Sequence, residues 1–472
     1  MLFQIEKSAV VICATFIVSR AILYSAYPFR IDFLPWLNQL LDVEILKYNL
    51  IEGLYHLHAT PPLYNALIGV FLQAFPSEAS LAIALQGLYA LLALATALMV
   101  ERIARFLGAS ELWALCAGLL VVLNPILFRF EIIPFYTLPL TFLITFSVYA
   151  LMRTAQTASL WYGTAFLVTL AVTVLFRNFF HVIVFMLPAA ALAAYVMRAW
   201  TRAHIVAIAL VVCLCLGVAL IPSVVNYSRY GMFTSSTWQG MQLYSATFFV
   251  PRDKIEVLVK AGAVTPLSLL PRFENSDIYY TYYKETVRDK VPVLDDLYKT
   301  GTGYGNFNNW IYIQTAAEYG RNARVILSQY PWYFVPKFIN SAYIFFGTAN
   351  YRFFYALDDW LIFTPPWYLM VYQGLKYFAI PLGIGAAFFM GLWYLFSSVL
   401  SAVRSRLFDA HALTCLYLLF LFLYVFGVAN VVELGENFTA RAPIDPLIAV
   451  AAVLAIEAFV AFWRRRTTSA TL

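Results

Sequence analysis

Long apolar runs, each close to the length that crosses a bilayer, recur along this chain and limit what it can fold into. A hydrocarbon core about 30 Å thick needs about 20 helical residues at about 1.5 Å each. Only 12% of the residues are charged, against roughly 25% in soluble domains. The sequence therefore predicts an all-α, polytopic membrane protein. The ten runs that can be read as spans lie at about 8–27, 80–106, 111–128, 133–152, 160–176, 178–197, 204–222, 368–398, 411–430 and 442–463.

Basic residues at the ends of these runs predict the orientation of the chain. With the N-terminus in the cytoplasm, the other cationic turns and the C-terminal tail also fall there, as the positive-inside rule requires. These cations are Arg102, Arg105, Arg153, Arg198, Arg202, Arg404, Arg406, Arg464, Arg465 and Arg466. Because membrane topology accounts for the net charge of +6, we expect no nucleic-acid partner.

Two further apolar stretches are not counted among the ten. Residues 61–75 begin with Pro61-Pro62, and a crossing there would reverse the side of every later loop, so we expect a helix in the outer interface. Residues 331–350 contain Pro331 and Lys337, and they are either interfacial or one of a pair of short crossings. The expected bundle thus has about 10–12 transmembrane helices.

The positions of the spans divide the chain into three parts. Residues 1–222 form an N-terminal transmembrane module with an acidic first outer loop at 28–79. Residues 223–366 form an outer, mostly helical insert with an interfacial helix, and residues 367–472 form the C-terminal transmembrane helices. Charges inside the spans are few, which disfavours a transporter. One of them, Arg20, is expected to reach the interface or to meet an acid.

The first outer loop carries a dense set of residues capable of chemistry. In so apolar a chain, charges collected at one water-facing surface indicate a working site, here that of an enzyme acting at the bilayer surface. The acids of the loop are followed by the run His56-Leu57-His58-Ala59-Thr60-Pro61-Pro62-Leu63-Tyr64-Asn65. The five cysteines all lie in apolar segments, so neither a disulfide framework nor a zinc site is expected.

Four motifs, taken in order along the chain, resemble the GT-C glycosyltransferases. After the first-loop Pro-Pro-Leu-Tyr come Asn124-Pro125 with Glu131 and Tyr136, then Asn226-Tyr227-Ser228-Arg229-Tyr230-Gly231-Met232-Phe233, then Glu436-Asn437 with Arg441, Pro443 and Pro446. Protein O-mannosyltransferases and aminoarabinose lipid A transferases belong to this group, which uses polyprenyl-phosphate-linked sugars. The resemblance implies a GT-C-like fold and an inverting transfer of a sugar from such a donor to a hydroxyl of a lipid, glycan or protein.

The same resemblance implies a membrane and a side for the reaction. We expect a bacterial inner membrane, with both termini cytoplasmic and the active site at its outer, periplasmic face. Two other activities remain open. A polysaccharide polymerase or ligase would rely more on outer-loop arginines and histidines than on a first-loop acid, and a transporter is the less favoured alternative. A purely structural membrane subunit is a further reading.

The resemblance implies a first-loop carboxylate as general base, and three acids compete for that role. Many GT-C members carry an adjacent Asp-Glu pair after the first span, whereas here Asp32 precedes a phenylalanine and a valine separates Asp42 from Glu44. On a helix, Asp42 and Glu44 would point about 200° apart. We favour Asp42, because it leads toward the His-Pro-Pro motif, with Asp32 as the next candidate.

Substrate and phosphate contacts are expected from outer-face side chains. Arginine can bind phosphate oxygens in a bidentate way, lysine acts as a point charge, and tyrosine can stack on sugars. A divalent metal is an open option, although no convincing ligand set is present. The candidates are His56, His58, Tyr64, Arg129, Glu131, Arg177, Arg252, Lys254 and Arg441.

Overall fold

The computed structural model describes residues 6–284, 291–347, 380–435 and 437–469. It is 78% helical, and the described ranges contain no strand. The all-α prediction is therefore confirmed. The helices before the insert are α1 Lys7–Ala26, α2 Val43–Tyr48, α3 Leu50–His56, α4 Leu63–Ala74, α5 Glu78–Phe106, α6 Glu111–Val122, α7 Pro125–Glu131, α8 Thr137–Thr157, α9 Leu160–Phe176, α10 Ile183–Ala199 and α11 Arg202–Tyr230.

Residues 231–333, called the insert from here on, separate α11 from the remaining long helices. Short 3-10 helices join several of these elements and also form Ile31–Trp36 in the first loop. The helices of the insert and beyond are α12 Gln239–Tyr244, α13 Arg252–Lys260, α14 Ser276–Tyr283, α15 Pro292–Asp295, α16 Ile311–Gln329, α17 Phe334–Phe346, α18 Ile380–Ser405, α19 Ala410–Val432, α20 Asn437–Arg441 and α21 Asp445–Ser469.

Seven of the described helices are long and apolar enough to cross a membrane: α1, α5, α8, α11, α18, α19 and the α20–α21 segment. An eighth crossing is formed if α6 and α7, which meet at a bend of 47°, count as one broken span. The runs predicted at 160–176 and 178–197 correspond to α9 and α10, helices of 17 residues each. The first twelve residues of the run predicted at 368–398 lie outside the described residues.

Local sequence accounts for where several helices begin and end. Asn124 accepts hydrogen bonds from the amides of Ile126 and Leu127, and Pro125 occupies the first position of α7, where a proline costs no hydrogen bond. Ser77 and Asp409 cap α5 and α19 in the same way. Gly231 ends α11 in the left-handed conformation, at φ 69°. The bend in the α6–α7 pair thus follows from the Asn-Pro dipeptide.

Helix α8 is the most enclosed of the long helices. Two thirds of its apolar window is buried, and it packs against α5, α9 and α19. By contrast, only 17% of the apolar window of α11 is buried, which suits a helix that faces lipid along most of its surface. The long helices thus form one bundle with α8 inside and α11 at its margin.

The insert has a core of its own, rich in aromatic rings. It includes the buried Tyr312 and Tyr319 of α16 and Tyr279 of α14, and α12 packs closely against α16. The approach is close because Gly240 on α12 faces the backbone of α16 at Ala316 and Gly320.

Candidate functional site

A small cavity of about 40 Å³ lies where the first loop, the insert and three turns of the bundle meet. Its lining comes from all the segments that the charge pattern assigned to one face of the membrane. The lining residues are Gln39, Thr60, Pro61, Tyr64, Tyr136, Phe176, Arg177, Asn178, Trp238, Gln242 and Glu433. Two of the predicted site residues, Tyr64 and Arg177, are therefore brought together here.

Arg177 supplies the positive charge of the cavity. It follows α9 directly and is 7% exposed, with its guanidinium over the rings of Tyr136 at 4.7 Å and Phe179 at 5.3 Å. Its buried Nη1 atom has no hydrogen-bond partner among the described residues. Buried polar groups are normally paired, and a guanidinium binds carboxylate or phosphate strongly. Arg177 thus brings a guanidinium to the lining of the cavity, and one of its donors is satisfied by no described residue.

Glu433, directly after α19, lines the same cavity. Its backbone is fixed, because the buried Lys337 of α17 donates to the carbonyl oxygens of Asn430, Val431 and Glu433 at 2.8 Å each. Burial lowers the pKa of Lys337 to about 8, and Glu433 partly opposes that shift. Glu433 was not among the site residues predicted from the sequence, although it lies three residues before the Glu436-Asn437 motif.

Carboxamides and aromatic rings form the rest of the polar lining. Asn178 Nδ2 donates to Gln242 Oε1 at 3.4 Å, and Trp238 Nε1 donates to the carbonyl of Phe307 at 3.1 Å. A carboxamide offers both a donor and an acceptor, as sugar hydroxyls require, and an indole offers a flat apolar face. The cavity thus combines groups for an anion with groups for a polyhydroxylated ligand.

The Pro-Pro-Leu-Tyr motif shapes one wall of the cavity. The Tyr64 hydroxyl donates to the carbonyl of Pro134 at 2.5 Å, and its ring meets that of Tyr136 edge-on at 5.5 Å. Asn65 accepts from the amide of Leu41 at 2.7 Å and donates to the carbonyl of Gln39 at 3.0 Å. These bonds fix the turn that carries Gln39, so the motif positions the wall as well as contributing to it.

The two histidines that precede Pro61-Pro62, His56 and His58, have different surroundings. His58 is fully buried, with Nδ1 2.8 Å from the Thr237 hydroxyl and Nε2 2.8 Å from the carbonyl of Asn308. Burial lowers its pKa to about 3, so the ring is neutral and joins the first loop to the insert. His56 is half-buried. Its pKa is lowered mainly by burial and, to a smaller extent, by the positive charge of the neighbouring Arg229. Neither histidine lines the cavity.

The three first-loop acids also lie outside the lining. Asp42 caps α2, with one oxygen accepting from the amide of Glu44 at 3.0 Å and the other from that of Thr300 at 2.6 Å. Glu44 is exposed in the first turn of α2. Asp32 is 61% exposed and pairs at 2.8 Å with Arg30, which lowers the pKa of the Asp32 carboxyl. Their proposed catalytic roles stay predictions.

Lys299 of the insert reinforces the contact at Asp42. Its ammonium is buried and donates to the carbonyls of Pro35 at 3.2 Å and Leu37 at 2.7 Å. Burial lowers the pKa of Lys299 to about 7, and the nearby Asp42 opposes that shift. Together with His58, this lysine holds the first loop against the insert next to the cavity.

Other predicted site residues form contacts elsewhere in the protein. Glu131 is fully buried and pairs with Arg20 at 2.6 Å, which confirms that Arg20 meets an acid. Arg441, also fully buried, pairs with Asp445 at 2.8 Å. Arg252 is exposed and pairs with Glu256, Lys254 stands 5.3 Å from the ring of Tyr330, and Arg129 is half-buried on α7.

The described residues do not form a ligand set for the divalent metal that the sequence left as an option. Within the described ranges, no group of three His, Cys, Asp or Glu side chains could hold a metal ion. Comparison with known proteins found no match among protein-family models, curated proteins or solved structures. The observations that bear on function are therefore the cavity and the sequence motifs.

Proposed function

We propose that this chain is a GT-C-like membrane glycosyltransferase that moves a sugar from a polyprenyl-phosphate donor to a hydroxyl acceptor. One observation carries the proposal: Arg177, a buried arginine with one unpartnered donor, lines a cavity together with Glu433, three carboxamide residues and Trp238. Arg177 would bind the phosphate of the donor, and the carboxamides of Gln39, Asn178 and Gln242 would bind sugar hydroxyls.

The reaction would use the two charges of the cavity in different ways. The acceptor oxygen attacks the anomeric carbon, the bond from that carbon to the phosphate oxygen breaks, and the lipid phosphate leaves with the electron pair. Arg177 stabilises the negative charge that develops on the phosphate. Glu433 takes the proton of the attacking hydroxyl as general base. We assign this role to Glu433 rather than to a first-loop acid because Glu433 lines the cavity and Asp32, Asp42 and Glu44 do not.

The proposed site would lie at the outer, periplasmic face of a bacterial inner membrane. In this arrangement α9 and α10 also cross, which gives ten spans, and both termini are cytoplasmic. Support comes from the lining of the cavity, since the segments that the charge pattern assigned to the outside all reach it. A lipid-linked donor could then approach from the bilayer, and a lipid, glycan or protein acceptor from the periplasm.

Transfer assays on purified variants test the assignment. We expect Arg177→Gln and Glu433→Gln each to lower transfer from the best of a panel of polyprenyl-phosphate sugars by about 100-fold or more. Asp32→Asn is the matched control, because its side chain is exposed and lies outside the lining. Full activity in both cavity variants would refute the site. Loss in Asp42→Asn with activity retained in Glu433→Gln would return the base to the first loop.

A second candidate function is a polysaccharide polymerase or ligase that also uses a lipid-linked donor. The observation that favours it is the placement of Arg177 in the cavity and of the three first-loop acids outside it. The acceptor distinguishes the two functions. Glycan chains that lengthen during the reaction, or that are transferred whole, would favour this candidate, whereas a single added sugar would favour the transferase.

A further inference from the structure

The segment α2–α3 of the first loop carries apolar residues on both its inner and its outer face, and the outer face also carries Glu44, Asn49 and Glu52. Its inner face buries Leu46 and Leu50, and the Leu50 side chain packs against Gly69 of α4. Its outer face presents Tyr48, Ile51 and Tyr55, which are 66%, 80% and 59% exposed. On α3, Ile51 and Tyr55 lie four apart and so share one stripe, and Tyr48, the last residue of α2, precedes that helix. A loop in water would normally carry polar residues on such a stripe.

This stripe continues onto the lipid-facing surface of a candidate span. Arg229, in the last turn of α11, donates to the carbonyl of Tyr55 at 2.6 Å. Its guanidinium also lies 3.3 Å from the centre of the Tyr55 ring. Beside it, the exposed rings of Tyr227 and Phe233 meet edge-on at 6.4 Å. The outer face of α3 therefore begins where the apolar surface of α11 ends.

The charges around the stripe match those of a phospholipid headgroup layer. Lys47 lies 5.2 Å from the ring of Tyr48, and Arg229 lies at the opposite end, so cations flank the exposed rings. Between them is an open groove of about 600 Å³, lined among others by Asn49, Glu52 and Gln73. Tyrosine prefers the membrane interface, and lysine and arginine reach from apolar surfaces to lipid phosphates. Glu52 could meet the ammonium of a zwitterionic headgroup.

We propose that this docking face, formed by Lys47, Tyr48, Ile51, Tyr55 and Arg229, rests in the headgroup layer of the bilayer. Ile51 enters the outer edge of the hydrocarbon, the two tyrosines lie at the interface, and the two cations contact lipid phosphates. The first loop is thereby held on the membrane through lipid as well as through the insert. The inference is independent of the proposed transfer reaction.

Spin-label accessibility in lipid nanodiscs tests the docking face. Ile51→Cys is made in the full chain with the five native cysteines replaced, labelled with a nitroxide, and placed in a zwitterionic phospholipid disc. Accessibility to oxygen, which concentrates in lipid, is compared with accessibility to a water-soluble nickel chelate. Val257→Cys on α13 is the control, because it is a comparably small exposed apolar site within the insert, 59% exposed.

The label at 51 is expected to be more accessible to oxygen than to the chelate, and the label at 257 to show the reverse. Equal ratios at the two positions would overturn the proposal, because Ile51 would then face water. A label at 51 shielded from both reagents would also overturn it, since a protein rather than lipid would cover the face. Tyr48→Cys, in the same docking face, repeats the measurement should the Ile51 variant fold poorly.

Discussion

At the scale of single residues, the Arg20–Glu131 pair bears the largest consequence for stability. The guanidinium donates to both carboxylate oxygens, at 3.0 Å and 2.6 Å, and to the carbonyl of Val122 at 2.5 Å, while Tyr24 donates to Glu131 as well. Replacing Glu131 by Gln would leave a buried guanidinium without its counter-charge. We expect a loss of about 3–5 kcal/mol in unfolding free energy, measured by denaturant titration in detergent.

The matched control is the double variant Arg20→Met with Glu131→Leu. An apolar pair of similar volume removes both charges together, and such exchanges are often neutral or stabilising. The double variant should therefore be clearly more stable than Glu131→Gln alone. If the two variants were equally destabilised, packing rather than charge would account for the loss.

The buried His58 should make the free energy of unfolding depend on pH. Its pKa is lowered from 6.5 to about 3 by burial, so below pH 6.5 the unfolded chain binds a proton that the folded chain does not. The free energy of unfolding should therefore fall as the pH falls, by up to about 1.4 kcal/mol per pH unit. The measurement is unfolding of the wild type and of His58→Gln between about pH 6 and pH 4.

Gln at position 58 keeps a donor near the carbonyl of Asn308 but does not titrate in this range. The slope of stability against pH should thus be shallower in the variant, whatever its absolute stability. Parallel slopes would mean that other groups, such as His56, account for the pH dependence.

At the scale of elements, the close approach of α12 and α16 decides how the insert is built. A methyl group at Gly240 would overlap the carbonyl oxygen of Ala316, and neither backbone can yield without moving its helix. We expect Gly240→Ala to destabilise the insert by about 1–3 kcal/mol or more. Because α12 carries Gln242, which lines the cavity, binding of the proposed lipid-linked sugar should weaken as well.

Gly427→Ala, in the middle of α19, is the control for that prediction. A methyl group there meets nothing within 4 Å, and alanine is the better helix former. Thermal unfolding and limited proteolysis of the two variants measure the difference. Equal resistance of both to protease would contradict the packing argument.

At the scale of the whole molecule, sidedness is the property that most constrains function. A membrane-impermeant maleimide, applied to intact bacterial cells expressing single-cysteine variants, measures it. Val257→Cys in the insert should react in intact cells. Arg406→Cys, in the turn between α18 and α19, should react only after permeabilisation, as its basic surroundings predict. The opposite pattern would place the cavity in the cytoplasm.

Much of the architecture follows from local sequence, and particular elements show where that stops. The apolar runs at 8–27 and 411–430 correspond within a few residues to α1 and α19, and Asn124-Pro125 explains the break after α6. The candidate site was less predictable. His58 has the residue type of a substrate contact, yet burial makes it a neutral link between the first loop and the insert.

The sequence by itself determined that the chain is an all-helical membrane protein and approximately where most of its candidate membrane-spanning helices lie. These properties depend on hydropathy and charge summed over about 20 neighbouring residues, so no long-range contact is needed to read them. Only the tertiary structure decided that Arg177 and Glu433 share one cavity and that Arg20 pairs with Glu131, 111 residues away. These long-range contacts depend on how separate helices pack, and no local pattern of residues encodes that packing.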